Sequence, residues 1–246
     1  MFHYLKSNKY LIVCLFAFVI FGMTAFESIM STYVALICFG DSGRQLYLAA
    51  AAALPVILVS SLLPVLARKI DKFYLLIGGL VFSIAVSLIA LFIGYDNFIF
   101  SIILVALKCV GLASWQVIIY MLVADTTEYG TYRSGTRTTG VTFSLQTFIS
   151  KLKNAAVNSF MLLCIAWTGY NAEAAVQTAA VSDRIWTVFL VVPVIGYILG
   201  ILVLVLFYKL RDNDVQVMAR FNNGEISYEE ASEKLKDRFG LPERRS

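Results

Sequence analysis

Apolar residues run through this chain in six long stretches, at residues 10–38, 46–67, 73–94, 97–124, 140–167 and 185–208. Each is long enough for a helix that crosses the hydrocarbon core, which takes about 20 residues. The stretches are continuous rather than alternating with a period of two, so they read as helices and not as barrel strands. After Tyr208 the character changes abruptly, and residues 211–246 are charged and water-soluble. Ser227 and Glu230 have capping-box spacing, which predicts a helix opening there. The pattern predicts an all-α membrane protein. Residues 1–210 form a bundle of six transmembrane helices, and residues 211–246 form a cytoplasmic amphipathic tail beside it.

Four charges interrupt the apolar runs: Glu27, Lys108, Lys151 and Lys153. Each costs about 2.5–3.5 kcal/mol at the centre of a membrane helix, so such charges usually face a polar pathway. Lys151 shares one helical face with Ser144, Thr147, Asn154 and Asn158, at steps of three and four. Gln146 and Ser150 are read as widening that face into an arc of amides, hydroxyls and one ammonium group. Such an arc can bond a polyhydroxylated or anionic solute. Hydrogen bonding between helices is the better account of Ser144 and Asn158. Lys153 is rotated about 200° from Lys151 and is expected to snorkel or pair elsewhere. Glu27 has Thr24, Ser28 and Ser31 near it at helical spacing, and Lys108 shares a face with Gly111 and Trp115. Trp115 could stack on a sugar ring or simply pack in the core. A Glu27–Lys108 or Glu27–Lys151 pair would neutralise the intramembrane charge.

Composition agrees with a membrane protein. Of the 246 residues, 59% are hydrophobic and 15% charged, against about 25% charged in a typical soluble domain. The net charge of +4 does not imply a nucleic-acid partner, and its distribution is more informative. With a cytoplasmic N-terminus, Lys6, Lys9, Arg68, Lys69, Lys72, Arg133, Arg137 and the basic tail all lie inside, leaving only Arg44 and Arg184 in outer loops. That asymmetry predicts a multi-pass protein of the cell (inner) membrane with both termini cytoplasmic. The tight connections at 68–72 and 94–97 predict antiparallel neighbours, and Pro55, Pro64 and Pro193 predict bends. Gly196 and Gly200 are read as sites of close helix packing. Cys14, Cys38, Cys109 and Cys164 show no ligand spacing and read as inert thiols. His3 is the only histidine, and neither a zinc-protease nor a nucleophile-elbow motif occurs. No catalytic residue and no metal site is therefore expected.

The polar stretch 125–139 is read as a cytoplasmic loop joining the fourth and fifth spans. Asp125 and Glu128 could pair with Arg133 and Arg137 as a gate closing that side, each pair worth about 0–1 kcal/mol. Solvated loop charges explain the same residues equally well.

The run Ala124-Asp125-x-x-Glu128-Tyr129-Gly130-x-Tyr132-Arg133, with Arg137 four residues on and Ser144-x-Gln146-Thr147-x-x-x-Lys151, resembles a known signature. It is that of the glycoside–pentoside–hexuronide:cation symporters, the major facilitator group containing the bacterial melibiose permease. The resemblance implies the C-terminal six-helix half of that fold, with sugar carried by alternating access. It implies that Gln146, Thr147 and Lys151 line the cavity and that Asp125, Glu128 and Arg137 belong to the cytoplasmic gate. Thr139 stands where family members often carry an acid, which weakens the expected latch. The resemblance also implies a partner, an N-terminal six-helix half, which is covalent in a full-length protein, a separate chain, or a second copy. No cofactor is expected, and the main site for a coupling Na+ or H+ would lie in that other half. The competing reading is a membrane solute sensor or structural subunit that never transports.

Overall fold

The computed structural model describes residues 8–137, 139–174, 176–236, 238 and 239. The first apolar stretch forms α1 (Lys9–Thr24) and α2 (Glu27–Tyr33), and α2 runs on into a π-turn over Val34–Cys38. Then follow α3 (Gln45–Leu66), α4 (Lys72–Ile93), α5 (Phe98–Ser134), α6 (Thr139–Thr168) and α7 (Ala179–Phe207). Two short helices close the chain, α8 (Asp212–Asn222) and α9 (Tyr228–Leu235). Six helical segments are long and apolar enough to cross a membrane, the first of them spanning Lys9–Cys38.

Local chemistry accounts for the boundaries. Asn8, Asp71, Asn97 and Thr178 each accept an N–H of the first turn that follows, opening α1, α4, α5 and α7. Gly135 ends α5 with φ 67°, a left-handed conformation that glycine adopts without steric cost. Its N–H donates to Thr131 O at 2.8 Å.

Two differences from the sequence reading matter for function. The first apolar stretch is not a single helix. It breaks at Ala25–Phe26, where Thr24 turns its hydroxyl to Phe21 O at 2.8 Å. At the same level α7 brings Gly196 against Thr24, so closely that a Cβ there would meet the Thr24 hydroxyl. The second difference is larger: the supposed loop is mostly helix. α5 continues to Ser134, and Thr126, Thr131 and Ser134 bond back to carbonyls three or four residues earlier. With 37 residues it is far longer than a bilayer core requires.

α5 packs chiefly against α4 and α3, α1 against α7 and α6, and α4 also against α7. Two apolar cores fill the bundle, one toward each end. The core that holds Tyr10, Tyr129 and Tyr208 also takes in Val215, Met218, Leu235 and Phe239. The tail thus packs into the bundle on its apolar side rather than lying free in solvent. α3 and α6 are the least covered helices, with 17% of their most apolar window buried against 33–56% in the other spans. They differ in what they expose. α3 presents Leu54, Ile57, Leu58 and Leu62, while α6 presents a polar stripe.

Candidate solute path and its charged cluster

The stripe on α6 is built by helical repetition. Thr139, Phe143, Thr147 and Lys151 follow at steps of four and stack along one face. Ser144, Thr147, Lys151, Asn154 and Asn158 are all exposed. Phe143, Ser144, Thr147, Phe148 and Lys151 line an open concavity of about 450 Å³. A second concavity, also about 450 Å³, is lined by Ala124, Thr127, Glu128, Arg137, Thr139 and Phe143. Phe143 belongs to both, so the concavity beside the Glu128–Arg137 pair adjoins the one that holds Lys151. Thr147 donates to Phe143 O at 2.8 Å and keeps an oxygen free to accept. Among the described residues Lys151 has neither an ion pair nor a hydrogen bond.

Gln146 does not belong to this face. Five residues separate it from Lys151, which is about 140° around the helix. Its side chain is turned into the bundle and buried, with Nε2 lacking any hydrogen-bond partner among the described residues. A buried donor left in that state costs about 1–3 kcal/mol. Lys153 lies on the same inner side. Its aliphatic stem covers Gly22, and Nζ sits 4.9 Å from the Phe18 ring centroid.

Trp115 is a core residue here, 3% exposed. It stacks on Phe21 at 4.1 Å with 11° between the ring planes, and Gly200 packs against its edge. No ring face is left for a sugar. Glu27 is buried at the first residue of α2 and accepts a hydrogen bond from Tyr197 Oη at 3.1 Å. Lys108, 1% exposed, donates to Phe189 O at 3.2 Å and lies 3.9 Å from the Phe189 ring centroid. Glu27 forms no ion pair with Lys108 or Lys151 among the described residues. The expected neutralising pair has no counterpart in this conformation, because a tyrosine hydroxyl and a backbone carbonyl take the hydrogen bonds instead.

At the charged cluster beyond Ala124 the structure redistributes the charges. Helix geometry carries Asp125 away from the basic side chains beyond it and toward the start of α4. Lys72 Nζ lies 2.7 and 2.9 Å from the two Asp125 carboxylate oxygens and 3.2 Å from Asp212. Asp71 and Asp212 exchange backbone contacts: Asp71 accepts from Asp212 N at 3.0 Å, and Asp212 accepts from Lys72 N at 3.1 Å. Glu128 and Arg137 do come together, at 3.4 Å. Asn222 on α8 also holds Glu128, donating to its carboxylate at 2.9 Å and its carbonyl at 3.0 Å. Arg133 donates to Phe239 O at 3.3 Å. Arg238 pairs with Asp214, whose other oxygen accepts from Arg211 N. Lys72, Asp71, Asp212, Asp214, Asn222 and Arg238 were not identified from the sequence. The available signal was a run of basic and acidic residues flanking tight turns at the ends of spans, read there only as topology.

A membrane-spanning bundle with a polar cleft along one weakly covered helix now has a context in known proteins. Residues 1–212 match the family described as MFS/sugar transport protein. The chain belongs to that family. Among its relatives is a glucuronide carrier protein homolog of Escherichia coli K12, 28% identical over 210 residues, which cover 85% of this chain and 46% of that protein. An inner membrane symporter of the same organism is 28% identical over 99 residues, 40% of this chain and 22% of the relative. A candidate 2,3-dihydroxypropane-1-sulfonate exporter of Salmonella typhimurium LT2 is 29% identical over 154 residues, 61% of this chain and 32% of the relative. The chain spans about half the length, or less, of the relatives it matches. It is a multi-pass membrane protein of the MFS sugar transporter family, and the named relatives are carriers, symporters and exporters.

Proposed function

We propose that this chain is the C-terminal half of a secondary active transporter that moves a polyhydroxylated, acid-bearing solute by alternating access, coupled to Na+ or H+. One observation supports this reading above the rest. Among the described residues Lys151 has no ion pair or hydrogen bond, yet it lines an open concavity that adjoins, at Phe143, a second one beside Glu128 and Arg137. An ammonium group held there without a counter-ion suits a carboxylate or sulfonate solute. The relatives named for glucuronide and for a dihydroxylated sulfonate carry both chemistries, hydroxyls and an anionic group.

In this reading Thr147, Lys151 and Asn154 contact the solute, and Gln146 turns toward it only in another conformation. Asp125, Glu128, Arg133 and Arg137, joined by Lys72, form the cytoplasmic latch. The N-terminal six-helix half docks against α3 and α6, the two least covered helices, and supplies the main cation site. Both termini are cytoplasmic and the membrane is the inner one, in keeping with the basic residues near the cytoplasmic cluster.

The test is uptake in inverted and right-side-out vesicles carrying the intact transporter, with a labelled glucuronide and a matched neutral glycoside. The expected result is accumulation driven by an imposed Na+ or H+ gradient. Lys151→Gln should lower uptake of the acid about tenfold or more while sparing the neutral analogue, as loss of one charge-assisted hydrogen bond implies. Binding without accumulation under any gradient would favour a solute sensor and refute transport.

A further inference from the structure

The side of α6 opposite the polar stripe carries a separate feature that transport does not use. Leu163, Cys164 and Trp167 on α6 face Val188, Val191 and Ile195 on α7 across a groove of about 380 Å³. These α6 residues lie more than about 100° around the helix from Lys151, so the groove opens away from the solute cleft. Thr187 also lines it but turns its hydroxyl back to Asp183 O at 2.8 Å, so that the Trp167 indole N–H and the Cys164 thiol are the only side-chain donors left in its lining among the described residues.

A cation stands at the groove's mouth. Arg184 precedes Thr187 and Val188 by one helical turn, and so crowns the same face of α7. Its guanidinium reaches across to the end of α6, where NH1 lies 3.4 Å from Thr168 O. That is its one hydrogen bond among the described residues, although a guanidinium has five donors. The neighbouring Asp183 is engaged elsewhere, accepting from Tyr95 Oη at 2.7 Å. This end of the bundle is the one opposite the Lys72–Asp125–Asp212 cluster.

We propose that the α6–α7 groove is a seat for an anionic phospholipid, with one acyl chain between Trp167 and Val191 and the phosphate on Arg184. The apolar walls suit a chain, and the remaining guanidinium donors suit a phosphodiester. Position within the bilayer selects a membrane lipid as occupant, and the exposed Trp167 suits the interfacial level. The seat would couple lipid composition to the α6–α7 contact, and through α6 to the opposite face that carries Lys151.

The chain contains its own probe. Trp167 is 69% exposed, whereas Trp115 and Trp186 are 3% and 2% exposed. The Trp167 signal is therefore the emission lost in Trp167→Phe. The intact protein is placed in phosphatidylcholine bilayers doped with lipid brominated along its acyl chains. Brominated phosphatidylglycerol should quench this signal at about fivefold lower mole fraction than brominated phosphatidylcholine, the effect of one basic residue at an anionic surface. Arg184→Gln should abolish the difference and Arg184→Lys should retain it, with helical circular dichroism unchanged in both. Equal quenching by the two lipids in the unmodified chain would mean only bulk lipid contact and would overturn the seat. A preference that survives Arg184→Gln would overturn the role of the arginine.

Discussion

At one end of the bundle Lys72 is held by two carboxylates, Asp125 and Asp212, on two other segments of the chain. Halfway along α6, Lys151 has no such partner and opens into a cleft. Both are lysines in a membrane protein, Lys72 half-buried and Lys151 exposed. The difference lies in what completes each charge. Lys72 is neutralised from within, so its cluster ties α4, α5 and the start of α8 together. Lys151 is completed by nothing among the described residues, and an intramembrane charge kept in that state points to a ligand, to water, or to another half. Paired charge holds the architecture, and unpaired charge is available for function.

The sharpest way to break this comparison is to remove Asp125. Asp125→Ala should destabilise the protein by about 2–4 kcal/mol, since it strips one partner from a largely buried ion pair. Urea unfolding followed by circular dichroism or by α5 cross-linking would measure it. Lys72→Ala should cost a similar amount, and the double variant should show a coupling energy above about 1 kcal/mol. Additive losses would mean that the two side chains do not act as a pair, and the structural half of the contrast would fail.

Lys151→Ala should do the reverse. Its unfolding midpoint should stay within about 0.5 kcal/mol of the unmodified chain, as for a surface position without partners. Solute uptake should fall about tenfold or more. A stability loss comparable to that of Asp125→Ala would show that Lys151 has a structural partner after all.

Much of the fold was legible because membrane helices obey two simple constraints, length and continuous apolarity. The bundle, its class and the α6 stripe follow from them. The break at Ala25–Phe26 was not legible, because the run stays apolar through it and Thr24, which turns its hydroxyl back there, packs against Gly196 on a distant helix. The helical course of 125–134 was missed because its polarity reads as loop. That polarity is satisfied by hydroxyls bonding back along α5 and by Asn222 from α8, a partner nearly a hundred residues away. The site divides in the same manner. Spacing places Thr147, Lys151 and Asn154 on one helix face, and the structure leaves all three exposed there. Gln146 was misplaced by ignoring a rotation of about 140°. Trp115 was a genuine ambiguity between sugar platform and core, and the stacking of Phe21 resolves it toward the core.

Gln146 tests the contrast at intermediate strength. Its Nε2 has no hydrogen-bond partner among the described residues, and a partner in another state of the protein would account for it. Gln146→Leu should therefore raise the stability of the solute-free protein by about 1 kcal/mol, by removing an unsatisfied donor. It should also reduce the stabilisation that added solute confers. If Gln146→Leu instead destabilises the solute-free protein, the amide is structural and does not belong among the site residues.

The smallest expected effect falls on the pair that joins the two regions. Arg137 is 63% exposed and meets Glu128 at 3.4 Å, while Glu128 is also held by Asn222. Arg137→Gln should change stability by less than about 0.5 kcal/mol, the usual worth of an exposed ion pair. Glu128→Ala should cost more, because it also frees the Asn222 amide. A latch need not be strong to matter, since it has to release on every cycle. Its signature is kinetic: Arg137→Gln should speed opening toward the inner end, read as faster labelling of a cysteine placed at Thr139. In about 1 M salt, where screening extends over roughly 3 Å, the unmodified chain should approach the variant's rate. Unchanged labelling in both conditions would leave Glu128 and Arg137 as solvated charges on either side of Gly135, and the cluster around Lys72 as the sole restraint at that end.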